Sequence, residues 1–109
     1  MTTGTCTLTG LSGQSYPFRL YTRSAGWKSR AGLYAFATHS PEGLEILYIG
    51  ESENLATRIS GHEKRGWAER YGAQFVMALP FEGEASSRKS AEADLIRAYQ
   101  PALNVKLRS

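Results

Sequence analysis

Two segments with the residue pattern of β-strands are joined by a short turn, and this pairing limits the fold more than any other feature of the chain. The first segment is Gly32-Leu33-Tyr34-Ala35-Phe36-Ala37, and the second runs from Leu44 to Ile49. The intervening Ser40-Pro41-Glu42-Gly43 is typical of a tight turn. Because a connection this short can only join antiparallel strands, the sequence predicts an antiparallel pair at the centre of the fold.

The N-terminal segment has the alternation of a β-hairpin. Thr5 to Thr9 alternates with period two, Gly10 to Gln14 forms a turn, and Tyr16, Phe18 and Leu20 then resume the alternation. We expect this hairpin to do one of three things. It adds strands to the sheet, contacts a substrate or mediates dimer formation.

Two helices follow the central strands. After Gly50 the apolar period becomes helical, which predicts a helix from Glu53 to Arg70. Ala73 to Phe81 is predicted to be a further strand. A second helix is predicted from Ser86 to Tyr99, since Pro101 cannot continue it. The tail from residue 102 to residue 107 is expected to lie across the body.

These elements predict an α+β fold in which a central antiparallel β-sheet is flanked by helices, a small three-layer-like sandwich with an added N-terminal hairpin. The 109 residues suit one domain, with residues 1–30 as the hairpin extension and residues 31–105 as the core. No apolar run approaches the ~18 residues of a membrane-spanning helix, and the first ten residues are too polar for a signal peptide. We therefore expect a cytoplasmic protein with no membrane partner.

Composition permits a nucleic-acid partner without requiring one. The net charge is +3, and six Tyr and two Trp accompany thirteen Lys and Arg. Many ordinary enzymes share this balance. The single cysteine, Cys6, has no partner for a disulfide or a zinc site and is interpreted as a small hydrophobe.

Charged residues interrupt the apolar faces of both predicted helices. In the first helix Arg58 and His62 share the inward stripe, and in the second helix Glu92 does the same. The spacing i, i+3, i+4, i+7 relates Leu55, Arg58, Ile59 and His62, and likewise Glu92, Leu95, Ile96 and Tyr99. A buried unpaired charge costs several kcal/mol, so each charge needs a partner, a metal or a cleft. A structural ion pair between Arg58 and Glu92 is the simpler alternative.

Tyr34 and Tyr48 lie on the two central strands, each close to a glycine. Gly32 and Gly50 leave room there for close approach of another backbone. Tyrosines in strands are also common packing residues, and the residues alone leave both interpretations open.

The ordered series Gly32-Leu33-Tyr34, Tyr48-Ile49-Gly50, Asn54-Leu55 with Arg58 and His62, then Glu92, then Pro101 with Leu103-Asn104 resembles the GIY-YIG nuclease domain. The resemblance runs from Gly32 to Asn104, about two-thirds of the chain. Leu33 stands where the family name has Ile, and no lysine lies between the two tyrosines, where some members carry one.

The resemblance implies a catalytic role for each of these side chains. Tyr34 and Tyr48 would flank the attacking water, with Tyr34 as the first candidate for general base. Arg58 would grip the scissile phosphate, and Glu92 would hold one divalent ion, Mg²⁺ or Mn²⁺. His62 resembles a histidine that takes part in the site of restriction-type members, but it is equally an interior histidine.

Asn104 matches a polar residue that supports such a histidine, although capping of local backbone groups is an equal alternative. Five basic residues are candidates for contacts with the phosphate backbone or, alternatively, a solvated surface. They are Lys64, Arg65, Arg70, Arg88 and Lys89.

The predicted function is that of a metal-dependent endonuclease acting on DNA through a single-metal site. No recognisable specificity module accompanies the domain, so a protein partner or a homodimer is an expected source of substrate choice. Two alternatives stay open. One is an inactive or weakly active nucleic-acid-binding module of the same fold, and the other is a small interaction domain whose charges form structural bridges.

Overall fold

The computed structural model describes residues 2–22, 29–64, 66, 70, 72–81 and 83–104, with the side chains of these residues except 2, 3, 22 and 62–64. The described part contains five strands and two helices of more than one turn. In chain order they are β1 (Thr2–Thr9), β2 (Ser15–Thr22), β3 (Gly32–Ser40), β4 (Gly43–Ser52), α1 (Leu55–Lys64), β5 (Phe75–Pro80) and α2 (Ala85–Tyr99).

The five strands form one antiparallel sheet in the order β1-β2-β5-β3-β4. The predicted antiparallel pairing of β3 with β4 is confirmed, with Tyr34 opposite Gly50 and Phe36 opposite Tyr48. The N-terminal hairpin adds β1 and β2 to the sheet, so the first of its three expected roles is confirmed. The last strand along the chain, β5, lies between β2 and β3 and joins the hairpin to the core.

Strand β3 is buried on both of its faces because a helix covers each side of the sheet. Leu33, Ala35 and Ala37 belong to one cluster together with Leu95 of α2. The alternate residues Tyr34 and Phe36 belong to a second cluster together with Leu55 and Ile59 of α1. Since successive side chains of a strand point to opposite faces, the two helices lie on opposite sides. The predicted α+β fold with helices flanking the sheet is therefore confirmed.

A carboxylate fastens the hairpin to α2. Asp94 accepts hydrogen bonds from the Ser12 backbone N–H at 2.9 Å, from the Ser12 hydroxyl at 2.7 Å and from the Tyr16 hydroxyl at 2.9 Å. Gly10 permits this contact, since a Cβ there would collide with the Asp94 carboxylate. The hydrogen bonds with Ser12 hold the pKa of Asp94 below its usual value, and burial together with the bond to Asp94 raises the pKa of Tyr16 to about 12.

The first helix is shorter than predicted at both ends. It begins at Leu55 because Asn54 acts as its N-cap, with the Asn54 side-chain oxygen accepting a hydrogen bond from the Thr57 N–H at 3.1 Å. It ends at Lys64, and Gly66 has a φ of 71°, which no right-handed helix accommodates. The prediction of one helix from Glu53 to Arg70 is therefore wrong. Arg70 again has helical geometry, and its N–H donates to the Gly66 carbonyl at 2.9 Å.

The remaining elements lie close to their predicted bounds. Strand β5 lies inside the predicted range, and α2 begins one residue before the predicted Ser86 and ends at Tyr99 as predicted. In the tail, residues 102–104 form a short helical turn, and residues 105–107 lie outside the described residues. Neither described helix is long and apolar enough to cross a membrane.

Candidate active site

The phenol ring of Tyr34 packs directly over the backbone of Gly50 in the neighbouring strand. The two residues are paired across β3 and β4, and a Cβ added at position 50 would lie 2.5 Å from Tyr34 Cζ and 2.6 Å from its hydroxyl oxygen. Tyr34 is completely buried. Glycine at position 50 therefore leaves the space that the ring occupies. The expectation that another backbone approaches Gly50 is wrong, since its neighbour is the Tyr34 side chain, whereas at Gly32 an added Cβ would meet the Leu79 carbonyl.

The Tyr34 hydroxyl joins two other side chains of the predicted site. Tyr48 and Arg58 both act on the pKa of this hydroxyl, so both lie within interaction distance of it. A guanidinium can only donate, so a hydrogen bond with Arg58 would have Tyr34 as its acceptor and leave the phenol proton for Tyr48. The rings of Tyr34 and Tyr48 lie 6.1 Å apart, centre to centre. Three residues separated by up to 24 positions in the sequence thus meet around one hydroxyl group.

The surroundings of Tyr34 raise the pKa of its hydroxyl and so keep it protonated. Burial is the main cause that raises the pKa of Tyr34 above its ordinary value of 10.0, and the neighbouring Tyr48 adds to the effect. The charge of Arg58 and the hydrogen bond from it act in the opposite direction but do not prevail. At neutral pH the phenol is therefore protonated, which argues against the general-base role that the resemblance implied. The contacts instead suit a residue that positions Arg58 and Tyr48.

Arg58 lies beside the inward face of α1 rather than on it. Leu55 and Ile59 are buried against the sheet, whereas Arg58 is exposed. The expectation that Arg58 belongs to the inward stripe is therefore wrong, because residues three apart on a helix are offset by about 60°. This offset lets the Arg58 guanidinium lie near the buried Tyr34 hydroxyl while it still faces solvent. The side chain of His62, further along the same helix, lies outside the described residues.

An open cleft of about 420 Å³ lies between the start of α1 and the start of α2. Three cationic side chains line it, Arg58 from α1 and Arg88 and Lys89 from α2. Arg88 is almost fully buried, and its Nε donates to Oε2 of Glu51 at 3.1 Å. The other residues that line the cleft are Glu51, Ser52, Glu53, Asn54, Thr57 and Ala85. Two residues predicted as phosphate contacts, Arg88 and Lys89, therefore lie beside Arg58.

Glu92 is half-buried on α2, one helical turn after Arg88. The helix-to-sheet ion pair that the structure describes is the one between Arg88 and Glu51, not the predicted alternative of Arg58 with Glu92. Within the described residues, no three His, Cys, Asp or Glu side chains form a group that could cage a metal. A hard ion such as Mg²⁺ needs no such cage, because it binds one or two carboxylates and keeps several waters. The Glu92 carboxylate suits that mode.

Asn104 fixes the edge strand β4 next to the tyrosine and glycine of the site. Its side-chain oxygen accepts a hydrogen bond from the Ile49 N–H at 2.9 Å, and its side-chain nitrogen donates to the Ile49 carbonyl at 2.7 Å. Both groups are buried. The alternative that Asn104 caps local backbone groups is wrong, since 55 residues separate the two partners. Asn104 satisfies the open edge of β4 between Tyr48 and Gly50.

Of the other three predicted phosphate contacts, Lys64, Arg65 and Arg70, the structure describes only part. Arg70 is exposed. Lys64 ends α1, but its side chain and the whole of Arg65 lie outside the described residues.

Glu51 is the site residue that the sequence analysis missed. The period was predicted to become helical after Gly50, yet β4 continues to Ser52. The signal that could have revealed it is the period of two, which puts Glu51 on the same face as the buried Ile49. That face is covered by α2, where Arg88 supplies the counter-charge.

The fold and the site together define a small α+β protein with a tyrosine pair, an arginine and a cationic cleft at the open edge of its sheet. No protein-family model, curated protein or solved structure matches the chain.

Proposed function

We propose that this cleft is the active site of a metal-dependent endonuclease that hydrolyses phosphodiester bonds in DNA, in the manner of the GIY-YIG nucleases that the sequence resembles. The observation that carries the proposal is the meeting of Tyr34, Tyr48 and Arg58 at the margin of a cleft that three cationic and two acidic side chains line. A packing tyrosine would not need an exposed guanidinium as its partner. DNA is the proposed partner, and the cytoplasm is the proposed compartment.

Arg58 is proposed to bind the scissile phosphate. Hydrolysis forms a bond from a water oxygen to phosphorus while the bond to one sugar oxygen breaks, and a proton reaches the departing oxygen. Negative charge grows on the phosphoryl oxygens during this step, and a guanidinium held in place stabilises it without reorganisation. The proximity of Arg58 to the buried Tyr34 hydroxyl supports that fixed position.

Tyr48 and Glu92 are proposed to complete the site. Tyr48 is half-buried, so its phenol can contact a bound water, whereas Tyr34 is completely buried and only positions its neighbours. Glu92 would hold Mg²⁺ or Mn²⁺, which when bound stabilises negative charge on the leaving oxygen. Since Tyr34 is protonated, removal of the proton from water falls to His62 or to solvent. Asn104 keeps β4 in place for both tyrosines.

Cleavage assays test the proposal. Purified protein would be incubated with supercoiled plasmid, branched DNA and single-stranded DNA, with Mg²⁺, with Mn²⁺ and with chelator. We expect nicking of at least one substrate that depends on the metal and is abolished by Arg58→Gln. Binding without metal-dependent cleavage of any substrate would instead identify a nucleic-acid-binding module. A partner protein or a homodimer, if required, would appear as activity that rises steeply with protein concentration or on addition of cell extract.

A further inference from the structure

We propose that Arg88 and Lys89, with the first backbone N–H groups of α2, form a second phosphate subsite beside Arg58, and that Glu51 occupies Arg88 until a phosphate replaces it. The identification of the anion as a phosphate of the same DNA strand rests on the proposed function. The subsite itself rests on the burial, contacts and charge of these residues.

The guanidinium of Arg88 is buried but only partly engaged. Its side chain is 5% exposed, and its single ion pair with Glu51 uses Nε. Among the described residues no hydrogen-bond partner is found for its two terminal nitrogens. A buried charged group left short of partners is costly, and arginine terminal nitrogens match the geometry of a phosphate. Because Arg88 lines the open cleft, an anion can reach these nitrogens without any change in the core.

The start of α2 adds a second, independent attraction for an anion. The cap residue Glu84 makes no side-chain hydrogen bond to a backbone N–H of the helix, although its carboxylate accepts from the Ser86 hydroxyl at 3.4 Å, and the first turn contains no acidic residue. The carbonyl of Glu84 accepts from the N–H groups of Ser87 and Arg88, so those of Ala85 and Ser86 are the ones left at the helix end. Helix N-termini carry partial positive charge, and the cationic side chains of Arg88 and Lys89 lie close to this end of α2. A bound anion would offset the repulsion between these like charges.

Glu51 has the position of an exchangeable counter-ion. Its side chain is 18% exposed and lines the same cleft, so it can turn to solvent when another anion binds Arg88. The exchange keeps Arg88 neutralised in both states, which avoids an unpaired buried charge in the free protein. It also lowers the affinity for small anions, since each must compete with a tethered carboxylate. Two subsites on two helices would favour a strand that presents consecutive phosphates.

The test compares the binding of inorganic phosphate and of two thymidine oligonucleotides, TpT and TpTpT, by NMR titration without metal. The variants are Glu51→Gln, Arg88→Gln and, as a control, Arg97→Gln, which removes the same charge from the other end of α2. We expect Glu51→Gln to tighten phosphate binding about tenfold, equivalent to about 1.4 kcal/mol, and Arg88→Gln to weaken it about tenfold. Arg97→Gln should leave it unchanged.

The oligonucleotides distinguish a strand from a free anion. In the parent protein TpTpT should bind about tenfold more tightly than TpT, and Arg88→Gln should remove that difference while Arg97→Gln keeps it. If the ion pair between Arg88 and Glu51 is purely structural, Glu51→Gln should bind phosphate with the same affinity as the parent protein or more weakly. This result would overturn the subsite even if Arg88→Gln fails to fold. Phosphate binding with no cleavage of any DNA would defeat the nuclease proposal alone, and metal-dependent nicking with unaltered binding in both variants would defeat the subsite alone.

Discussion

Tyr34 and Gly50 face each other across the pair of strands β3 and β4, and the ring of the tyrosine occupies the space that any side chain at position 50 would need. This contact links the fold to the candidate site. It buries the ring in the α1 cluster and leaves its hydroxyl beside Tyr48 and Arg58.

Replacing Gly50 with alanine should destabilise the protein. A Cβ 2.5 Å from Tyr34 Cζ must displace the ring or separate the strands, which we expect to cost about 1–3 kcal/mol in the free energy of unfolding. The control is Gly61→Ala in α1, where a Cβ meets open space. That variant should be more stable than the parent by about 0.5–1 kcal/mol, because alanine favours helix over glycine. Urea denaturation measures both, and equal stability of Gly50→Ala and parent would contradict the contact.

Tyr34→Phe should separate the structural role of the ring from the role of its hydroxyl. The ring still fills the space over Gly50, so the loss of stability should stay near 1 kcal/mol, the usual contribution of a hydrogen bond. The proposed nuclease activity should fall at least about tenfold, since Arg58 loses its fixed partner. Tyr99→Phe is the matched control, because it removes a hydroxyl that accepts from the Thr9 N–H on another part of the surface. Equal activity of the two variants would rule out a positioning role for Tyr34.

Asn104→Asp should be strongly destabilising at neutral pH and much less so in acid. The carboxylate would lose the donor to the Ile49 carbonyl and place a buried negative charge against that oxygen. We expect a loss of about 3 kcal/mol or more at pH 7. A protonated Asp can donate again, so its folded-state pKa is raised, and the lost stability should return as the pH falls toward the unfolded value near 4. Asn54→Asp, an exchange at the half-buried N-cap of α1, should show no such recovery.

Acid should weaken the attachment of the hairpin to α2. The folded-state pKa of Asp94 lies below its ordinary value of 3.8, so its stabilising effect is complete above that pH and is lost as the pH falls through the folded-state pKa. Asp94→Asn should therefore be less stable than the parent at pH 7, and the difference should narrow below pH 3.8. Denaturation curves from pH 2 to pH 7 measure the difference in the free energy of unfolding between the parent protein and Asp94→Asn. A difference that stays constant with pH would show that the Asp94 charge does not hold Ser12 and Tyr16.

Much of the fold follows from short-range patterns in the sequence. The alternation in β1 to β4 and the proline after α2 were sufficient to predict those elements, because strand period and helix termination depend on neighbouring residues. The central place of β5 between β2 and β3 was not predictable in this way, since it depends on pairing across more than 50 residues. The early end of α1 at Lys64 was missed, although Gly66, which follows two basic residues and has a φ of 71°, is the residue type that commonly ends a helix.

The candidate site was predictable in its residue types but not in its contacts. The ordered motifs pointed to Tyr34, Tyr48, Arg58 and Asn104, and periodicity alone suggested that Arg58 lies inward, which is wrong. The depth of Tyr34 and its raised pKa depend on the packing of α1 against the sheet, so neither could be inferred from spacing. The same holds for Arg88 and Glu51, which are 37 residues apart.

The most direct test of the nuclease proposal is Glu92→Ala, measured for both stability and cleavage beside the exposed control Glu45→Ala. We predict that, in the absence of metal, the free energy of unfolding of Glu92→Ala lies within about 1 kcal/mol of the parent value. The substitution removes a half-buried carboxylate rather than a core contact. Its Mg²⁺-dependent nicking of DNA should be abolished, while Glu45→Ala nicks at the parent rate. A Glu92→Ala protein that nicks DNA as fast as the parent, or one that loses its fold together with its activity, would contradict a metal-binding role for Glu92.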